Sequence, residues 1–145
     1  MKISLATITK HNYEAACELE VTDEQEDYVA SNTWSLVEAA YNPEYSVRAI
    51  YANDEPVGFF MWVQASPHKI SIWRFMVDKK HQQKSIGRIA LGLALQEIKR
   101  TPSLEEIEIC YNPGNPVAKR FYSSFGFEEV GMAPDGEDML ALIRL

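Results

Sequence analysis

The chain has 145 residues, of which 46% are hydrophobic and 24% charged, and its formal net charge is −7. This length and composition predict one globular domain, residues 1–145, and exclude a disordered or fibrous chain. The acidic balance disfavours nonspecific binding to nucleic acid and favours encounter with cations. No run approaches the roughly 20 apolar residues that span a bilayer, and the first residues lack the pattern of a secretion signal, so we expect a cytoplasmic protein without a membrane partner.

The two cysteines and three histidines do not predict a disulfide or a metal site. A chain of this size supports its own core, so Cys17 and Cys110 are expected to be buried small apolar residues. No cysteine or histidine pair has a zinc-ligand spacing, and we therefore expect no metal.

The first part of the chain predicts one strand and then helices. Alternation in "KISLATI" indicates a strand, and the following residues, with Thr9 as N-cap, indicate a helix. The acidic stretch "TDEQEDYVASN" predicts a second short helix capped by Thr22 or Asp23, and "SLVEAAYN" predicts a third, closed by Asn42 and Pro43.

The rest of the chain predicts mostly strands. The stretch "YSVRAIYANDEPVGFFMWVQAS" indicates two strands of a hairpin joined at "NDEP", and "KISIWRFMVD" a third. Next, "LEEIEICY" predicts a strand, "NPVAKRFYSSFGF" a helix ending at Gly126, and "MLALIRL" a final strand. Between the third and fourth of these strands, "IGRIALGLALQEIKR" predicts a helix with the apolar stripe Ile86, Ile89, Ala90, Leu93, Ala94 and Ile98. This order predicts a mixed sheet with helices on its faces.

The turn "HQQKSIGR" leads from a predicted strand directly into a helix. Such a turn presents main-chain N–H groups at the positive end of the helix dipole, where a phosphate is favoured. Gly87 permits close approach or an unusual dihedral, Ser85 is small, and Lys84 and Arg88 add positive charge. A pyrophosphate would fit there, although the turn has neither a Walker A order nor the full dinucleotide fingerprint. Taken alone, the turn is also compatible with an ordinary polar loop before a helix.

A second motif lies in "NPVAKRFYSSFGF", where the spacing is N-x-x-A-x-x-x-Y-x-x-x-G-F. Asn115 is suited to cap the helix, while Ala118 and Tyr122 lie one turn apart on one face. Taken alone, Tyr122 is also compatible with a half-buried core aromatic.

Together the two motifs resemble the GNAT superfamily of acetyl-CoA-dependent N-acetyltransferases, over essentially the whole chain. The resemblance implies the GNAT fold, an α/β (α+β) architecture whose central, mostly antiparallel twisted sheet has six to seven strands and about four flanking helices. The family's turn pattern [RQ]-x-x-G-x-[GA] falls on 82–87, with Ser85 in place of the middle glycine.

The resemblance also implies site residues. Acetyl-CoA is the implied cofactor, its pantetheine arm paired with the strand at Phe75, Met76 and Val77, and a main-chain N–H near Met76 stabilising the oxyanion. Tyr122 resembles the tyrosine that protonates the departing thiolate. The implied contacts to the rest of the cofactor are Gln82, Gln83, Lys84, Ser85, Ile86, Gly87, Arg88 and Asn115.

Within the superfamily the sequence is most similar to the bacterial spermine/spermidine acetyltransferases, through "VTDEQEDYVASN" and the following "SLVEA". A polyamine is polycationic, so a carboxylate-lined cleft would concentrate it. Where those enzymes tend to have an acidic residue before an aromatic pair, this chain has Trp73 and Arg74, and Arg74 repels a cation unless a carboxylate neutralises it. The predicted substrate-binding residues are Glu24, Glu26, Asp27, Tyr28, Glu38 and Trp73.

Other functions stay open at this point. The acceptor could instead be a protein N-terminus, a lysine side chain, an amino acid or an aminoglycoside. A catalytically idle domain that binds acyl-CoA is the alternative from another class, and Ser85 favours it. The acidic run could equally be a solvated helix face. The apolar "MLALIRL" could support a homodimer or be an internal strand.

Overall fold

The computed structural model describes residues 1–22, 31–82 and 85–145, and within those ranges it has seven strands and four helices. The strands are β1 Ile3–Thr7, β2 Tyr45–Ala52, β3 Glu55–Ser66, β4 Lys69–Val77, β5 Glu106–Tyr111, β6 Glu128–Met132 and β7 Met139–Arg144. The helices are α1 Tyr13–Glu18, α2 Asn32–Tyr41, α3 Ile86–Ile98 and α4 Pro116–Ser123. The helix predicted on "TDEQEDYVASN" lies mostly outside the described residues.

All seven strands form one sheet in the order β1-β2-β3-β4-β5-β7-β6. Every neighbouring pair is antiparallel except β4 and β5, which are parallel and joined through α3. A parallel pair needs such a crossover, whereas the β2–β3 hairpin turns tightly at "ND", where Asn53 has a φ of 54°. The predicted mixed, mostly antiparallel sheet is therefore confirmed.

The end of the chain differs from the prediction by one strand. β6 was absent from the element-by-element prediction because "EEVGM" has no apolar alternation, and all five residues are exposed. It pairs with β7 and forms one edge of the sheet, so "MLALIRL" contributes an internal strand, β7, between β5 and β6.

Helix boundaries depend on caps that the sequence pattern only partly locates. Asn12, not Thr9, occupies the N-cap of α1, and its Oδ1 accepts from the Thr9 N–H at 2.7 Å. α2 begins earlier than predicted because the Ser31 hydroxyl accepts from the Trp34 N–H. α4 ends at Ser123, and Gly126 follows with a φ of 97°.

The long helix α3 packs against the sheet through a face rotated from the predicted stripe. Ile86, Ala90, Ala94 and Ile98 are buried as expected, but Ile89 is 44% exposed. The buried face is completed by Leu91 and Leu95. The buried face is therefore rotated from Ile89 and the half-buried Leu93 toward Leu91 and Leu95.

The cysteines of the described chain are free and half-buried rather than fully buried. Within the described ranges, no three His, Cys, Asp or Glu side chains are grouped as metal ligands. No helix in those same ranges is long and apolar enough to cross a membrane.

Candidate active site

The site begins where the parallel strands β4 and β5 separate. Their pairing runs from Lys69↔Glu106 to Ile72↔Ile109 and then stops. On the other side of β4 the pairing with β3 continues, but its register passes from Ile72 to Arg74, which leaves Trp73 as an extra, bulged residue. Bulges of this kind redirect a strand near functional sites. Residues 73–77 therefore keep an edge that faces away from β3 without a strand partner.

The space opened by this divergence is a cleft of about 500 Å³ between β4, β5 and the first turns of α3 and α4. Most of the residues that the sequence singled out line it. They are Trp73, Phe75, Met76, Val77, Gln82, Ser85, Gly87, Arg88, Asn115 and Tyr122.

Other predicted site residues lie elsewhere. The Ile86 side chain is 1% exposed and packs in the core, so only its main chain is available to a ligand. Glu38 does not line the cleft; it forms an ion pair with Arg74. The predicted residues that lie outside the described residues are Glu24, Glu26, Asp27, Tyr28, Gln83 and Lys84.

The start of α3 presents main-chain N–H groups to the cleft. The N-cap Ser85 has φ 63° and ψ 8°, and the hydrogen bond from the Ile89 N–H to the Ser85 carbonyl at 3.2 Å begins the helical pattern. The first N–H groups of a helix have no partner within it, so those of residues 86–88 are suited to an anion. The unusual dihedral expected at Gly87 thus occurs at Ser85, at the position where the family pattern has glycine.

Replacing Ser85 with glycine is expected to stabilise the protein by about 1 kcal/mol, since a left-handed backbone is strained for any residue with a Cβ. The affinity for coenzyme A should stay within about twofold of wild type, because the left-handed turn is present without a ligand and its strain is therefore relieved equally in the free and bound protein. Urea unfolding and calorimetry measure the two effects. Ser103, with a φ of 62° in a loop outside the cleft, provides the matched control: Ser103→Gly should stabilise similarly and leave affinity unchanged. Equal stability of Ser85→Gly and wild type would contradict the strain at this turn.

The side chain of Arg88 is held beside the N-terminus of α3 by α4 and the two residues that follow it. Its guanidinium donates to Ser124 Oγ at 3.0 Å, and its central carbon lies 5.4 Å from the ring centroid of Phe121 and 5.1 Å from that of Phe125. These contacts reduce the side-chain freedom that a ligand would otherwise have to restrict. Arg88 is therefore a preorganised cation at the rim of the cleft.

Helix α4 orients the second motif. The Asn115 side chain caps the helix by accepting from the Ala118 N–H at 3.2 Å, as the sequence predicts, and Pro116 occupies the first helical position. Ala118 and Tyr122 then lie one above the other on the face that lines the cleft.

The ring of Tyr122 is enclosed by three other aromatic rings. Its centroid lies 5.6 Å from that of Tyr111 in a stacked arrangement, and 5.2 Å from Phe121 and 5.9 Å from Phe127 in edge-to-face arrangements. Burial raises the pKa of the Tyr122 hydroxyl, and the neighbouring Cys110 and Tyr111 raise it further. At neutral pH the phenol therefore carries its proton, as a general acid must.

Tyr111 lines the cleft without having been predicted to do so. It ends β5, is 8% exposed, and donates from its hydroxyl to Glu129 Oε2 at 2.8 Å. Burial and this hydrogen bond raise the pKa of Tyr111 from 10.0 to about 12. The sequence showed only that Tyr111 ends a predicted strand. That this strand lies beside β4, and so faces the cleft, follows from the sheet order.

Because the pKa of Tyr111 is raised, the free energy of unfolding depends on pH in the alkaline range. The folded state retains the Tyr111 proton between pH 10.0 and about 12, whereas the unfolded chain loses it near 10.0, so stability falls as the pH rises through this interval. In Tyr111→Phe the fall should be shallower. Urea unfolding at several pH values measures it, with Tyr41→Phe, at an 82% exposed position, as control. Parallel curves for wild type and Tyr111→Phe would contradict the assignment.

Arg74 is the other cleft residue whose role the sequence left open. Its guanidinium donates to Glu38 Oε1 at 3.1 Å and to the Trp73 carbonyl at 2.9 Å. Glu38 therefore supplies the carboxylate that neutralises Arg74. The neighbouring Trp73 ring is 39% exposed. It packs edge-to-face with the ring of Tyr45, with the two ring centroids 5.2 Å apart.

These features fit coenzyme A. Its diphosphate requires N–H donors and a cation, which the start of α3 and Arg88 present, and its amide-containing arm requires an unpaired strand edge, which residues 73–77 present. A Cβ at Gly87 would make only ordinary contacts, at 3.5 Å from Phe75 and 3.7 Å from Val77, so the family's alternative of alanine also fits there.

Comparison with known proteins agrees with this geometry. The sequence model of the Acetyltransferase (GNAT) family matches residues 9–127. The spermine/spermidine N(1)-acetyltransferase of Bacillus subtilis (strain 168) is 26% identical over 135 residues, which cover 88% of this chain and 89% of the relative.

Among solved structures, spermidine N-acetyltransferase from Vibrio cholerae, crystallised with CoA and spermine, superposes with a TM-score of 0.80 at 15% identity. The alignment covers 98% of this chain and 95% of that one. The aminoglycoside acetyltransferase AAC(6')-Ib in complex with coenzyme A superposes with a TM-score of 0.79 at 18% identity, over 99% and 95% of the two chains. With a family match over most of its length and a cleft that fits the cofactor, the chain belongs to the GNAT family and is an acetyl-CoA-dependent N-acetyltransferase.

Proposed function

We propose that this enzyme acetylates a primary amine of a polyamine such as spermidine or spermine, with Tyr122 as the general acid. The observation that carries the proposal is the meeting in one cleft of three features: the start of α3, the unpaired edge of β4, and the protonated phenol of Tyr122.

Different residues would bind the two parts of the cofactor and assist acetyl transfer. The N–H groups of residues 86–88 and the Arg88 guanidinium would hold the diphosphate, with Gln82, Gln83, Lys84 and Asn115 around it. Phe75, Met76 and Val77 would pair with the pantetheine arm through main-chain groups. Acetyl-CoA supplies an activated thioester carbonyl. The neutral amine nitrogen would attack this carbonyl directly, forming the C–N bond, and would release its proton to water. An N–H near Met76 would donate to the carbonyl oxygen, and as the C–S bond breaks Tyr122 Oη would give its proton to the departing sulfur.

The charge of the chain supports a polycationic acceptor. The net charge of −7 attracts such a molecule, and the ion pair with Glu38 removes the repulsion that Arg74 would otherwise exert. The Trp73 ring, which lines the cleft and is 39% exposed, is proposed to make a cation–π contact with the amine. The acidic residues Glu24, Glu26 and Asp27, with Tyr28, are proposed to complete the acceptor site. Glu38 acts there through Arg74 rather than by binding the amine directly.

The relative from B. subtilis, named for spermine and spermidine, supports the same acceptor class. An aminoglycoside is also a polycationic amine, so charge alone does not separate the two classes. An acetylation assay with acetyl-CoA and detection of the released thiol separates the two acceptor classes. Its panel of amines contains spermine, spermidine, kanamycin, lysine, free amino acids and a peptide with a free N-terminus.

The expected result is the highest kcat/KM with a polyamine. A higher kcat/KM for any other amine of the panel would overturn the acceptor while keeping the reaction. Coenzyme A binding without turnover of any amine would overturn the catalytic proposal.

A further inference from the structure

We propose that Tyr111, tethered by Glu129, is a positioning residue that holds the ring of Tyr122 in its catalytic orientation. The inference rests on the proposed role of Tyr122. It concerns a residue that would not transfer a proton itself and that acts through the stacked ring beside it.

The first step of the argument is the environment of Tyr122. Of its three ring neighbours, Phe121 lies next to it on α4, and Phe127 lies just beyond that helix and is buried in the core. Tyr111 is the neighbour that β5 contributes, and its ring stacks at 25° to that of Tyr122. The position of the Tyr122 ring relative to the end of β5 therefore depends on where the Tyr111 ring lies.

The second step is the tether. Tyr111 donates to Glu129 Oε2 at 2.8 Å, and the other oxygen of Glu129 lies 3.2 Å from Lys119 Nζ. Glu129 is on β6, and Lys119 is on α4, one turn before Tyr122. One carboxylate thus links the end of β5 to the helix that carries Tyr122. A hydrogen bond to a charged acceptor is stronger than one between neutral groups, which suits it to fix a ring.

The third step concerns the Tyr122 hydroxyl. Among the described residues, none forms a hydrogen bond with it, so packing of the ring, with Tyr111 among its neighbours, has to place the hydroxyl in the free enzyme. A general acid must lie within hydrogen-bond reach of the atom it protonates, and a misplacement of about 1 Å can cost two orders of magnitude in rate. Of the ring contacts of Tyr122, the one with Tyr111 is held in place by the Glu129 carboxylate.

A double-mutant cycle tests the inference, with spermine and acetyl-CoA as substrates, or with the fastest amine of the panel if spermine is not accepted. Tyr111→Phe keeps the ring and removes the tether, and we expect kcat to fall about tenfold with KM for acetyl-CoA unchanged. In the Tyr122→Phe background the same change should have no effect, because there is no phenol left to position. An equal loss in both backgrounds, or no loss in either, would overturn the inference.

Glu129 provides a second, independent pair of variants. Glu129→Gln keeps a neutral acceptor for the Tyr111 hydroxyl but loses the charge and the ion pair with Lys119, so kcat should fall less than in Glu129→Leu, which should match Tyr111→Phe. A wild-type kcat in Glu129→Leu would overturn the tether. Tyr51→Phe, which removes a hydroxyl hydrogen-bonded to Asn12 at 3.2 Å outside the cleft, is the matched control and should leave kcat unchanged.

The outcomes separate this inference from the proposed function. If Tyr122→Phe alone leaves kcat intact, the proposed acid is wrong. If Tyr122→Phe lowers kcat and Tyr111→Phe does not, only the positioning role is wrong.

Discussion

Tyr122→Phe is expected to lower kcat by roughly 10²–10⁴-fold, the range in which a positioned general acid contributes to catalysis. The phenylalanine ring would keep the contacts with Tyr111, Phe121 and Phe127, so the fold and the cofactor site should be preserved. The KM for acetyl-CoA should therefore change little. Steady-state kinetics with a saturating amine, together with calorimetric titration of coenzyme A, measure both quantities.

The control for this variant is again Tyr51→Phe. It removes a hydroxyl that accepts a hydrogen bond from Asn12 in another part of the sheet. It should leave both kcat and cofactor affinity at wild-type values. A kcat for Tyr122→Phe within a few-fold of wild type would exclude the phenol as the acid. A parallel loss of coenzyme A affinity would instead indicate that the residue binds the cofactor.

Gly58→Ala is expected to destabilise the protein by about 1–3 kcal/mol, the usual cost of inserting a methyl group into a packed position. A Cβ at Gly58 would lie 2.6 Å from the Met76 carbonyl oxygen and 2.7 Å from Ile50 Cδ1. Because the Met76 contact is with backbone, relief requires β4 to move away from β3. Since Met76 belongs to the wall of the cleft, kcat should fall as well.

Gly92→Ala is the matched control, since the same residue change lowers the entropy of the unfolded chain in the same way. Gly92 is in the interior of α3, and a Cβ there would meet nothing within 4 Å. This variant should be more stable than wild type by about 0.5–1 kcal/mol, as expected for glycine in a helix. Urea midpoints that are equal for the two variants would contradict the close approach of β3 and β4 at Met76.

Several features could be predicted from sequence because neighbouring residues determine them. The period of "IGRIALGLALQEIKR" located α3, the stretch "NDEP" located the hairpin, and Asn115 three residues before Ala118 located a helix cap. The turn before α3 and the tyrosine motif were recognisable for the same reason. Each depends on the order of residues along a few turns of chain.

Other features followed from tertiary structure alone. No local pattern shows that β4 and β5 separate after Ile72, and Trp73 is bulged only because β3 keeps pairing beyond it. The carboxylate expected to attract substrate, Glu38, is paired with Arg74, 36 residues away in sequence. The left-handed backbone occurs at Ser85, although Gly87, two residues later, could adopt it with less steric strain.

By itself, the sequence determined most of the described elements and their order, with β6 as the exception, and the two motifs that identify the family. Tertiary structure alone decided which edges stay unpaired, which charges neutralise each other, and that Tyr111 stacks on Tyr122. The physical reason is that periodicity and capping are set by contacts within a few residues. Strand register, ion pairing and ring packing join residues far apart in the chain, and depend on which surfaces the whole sheet brings together.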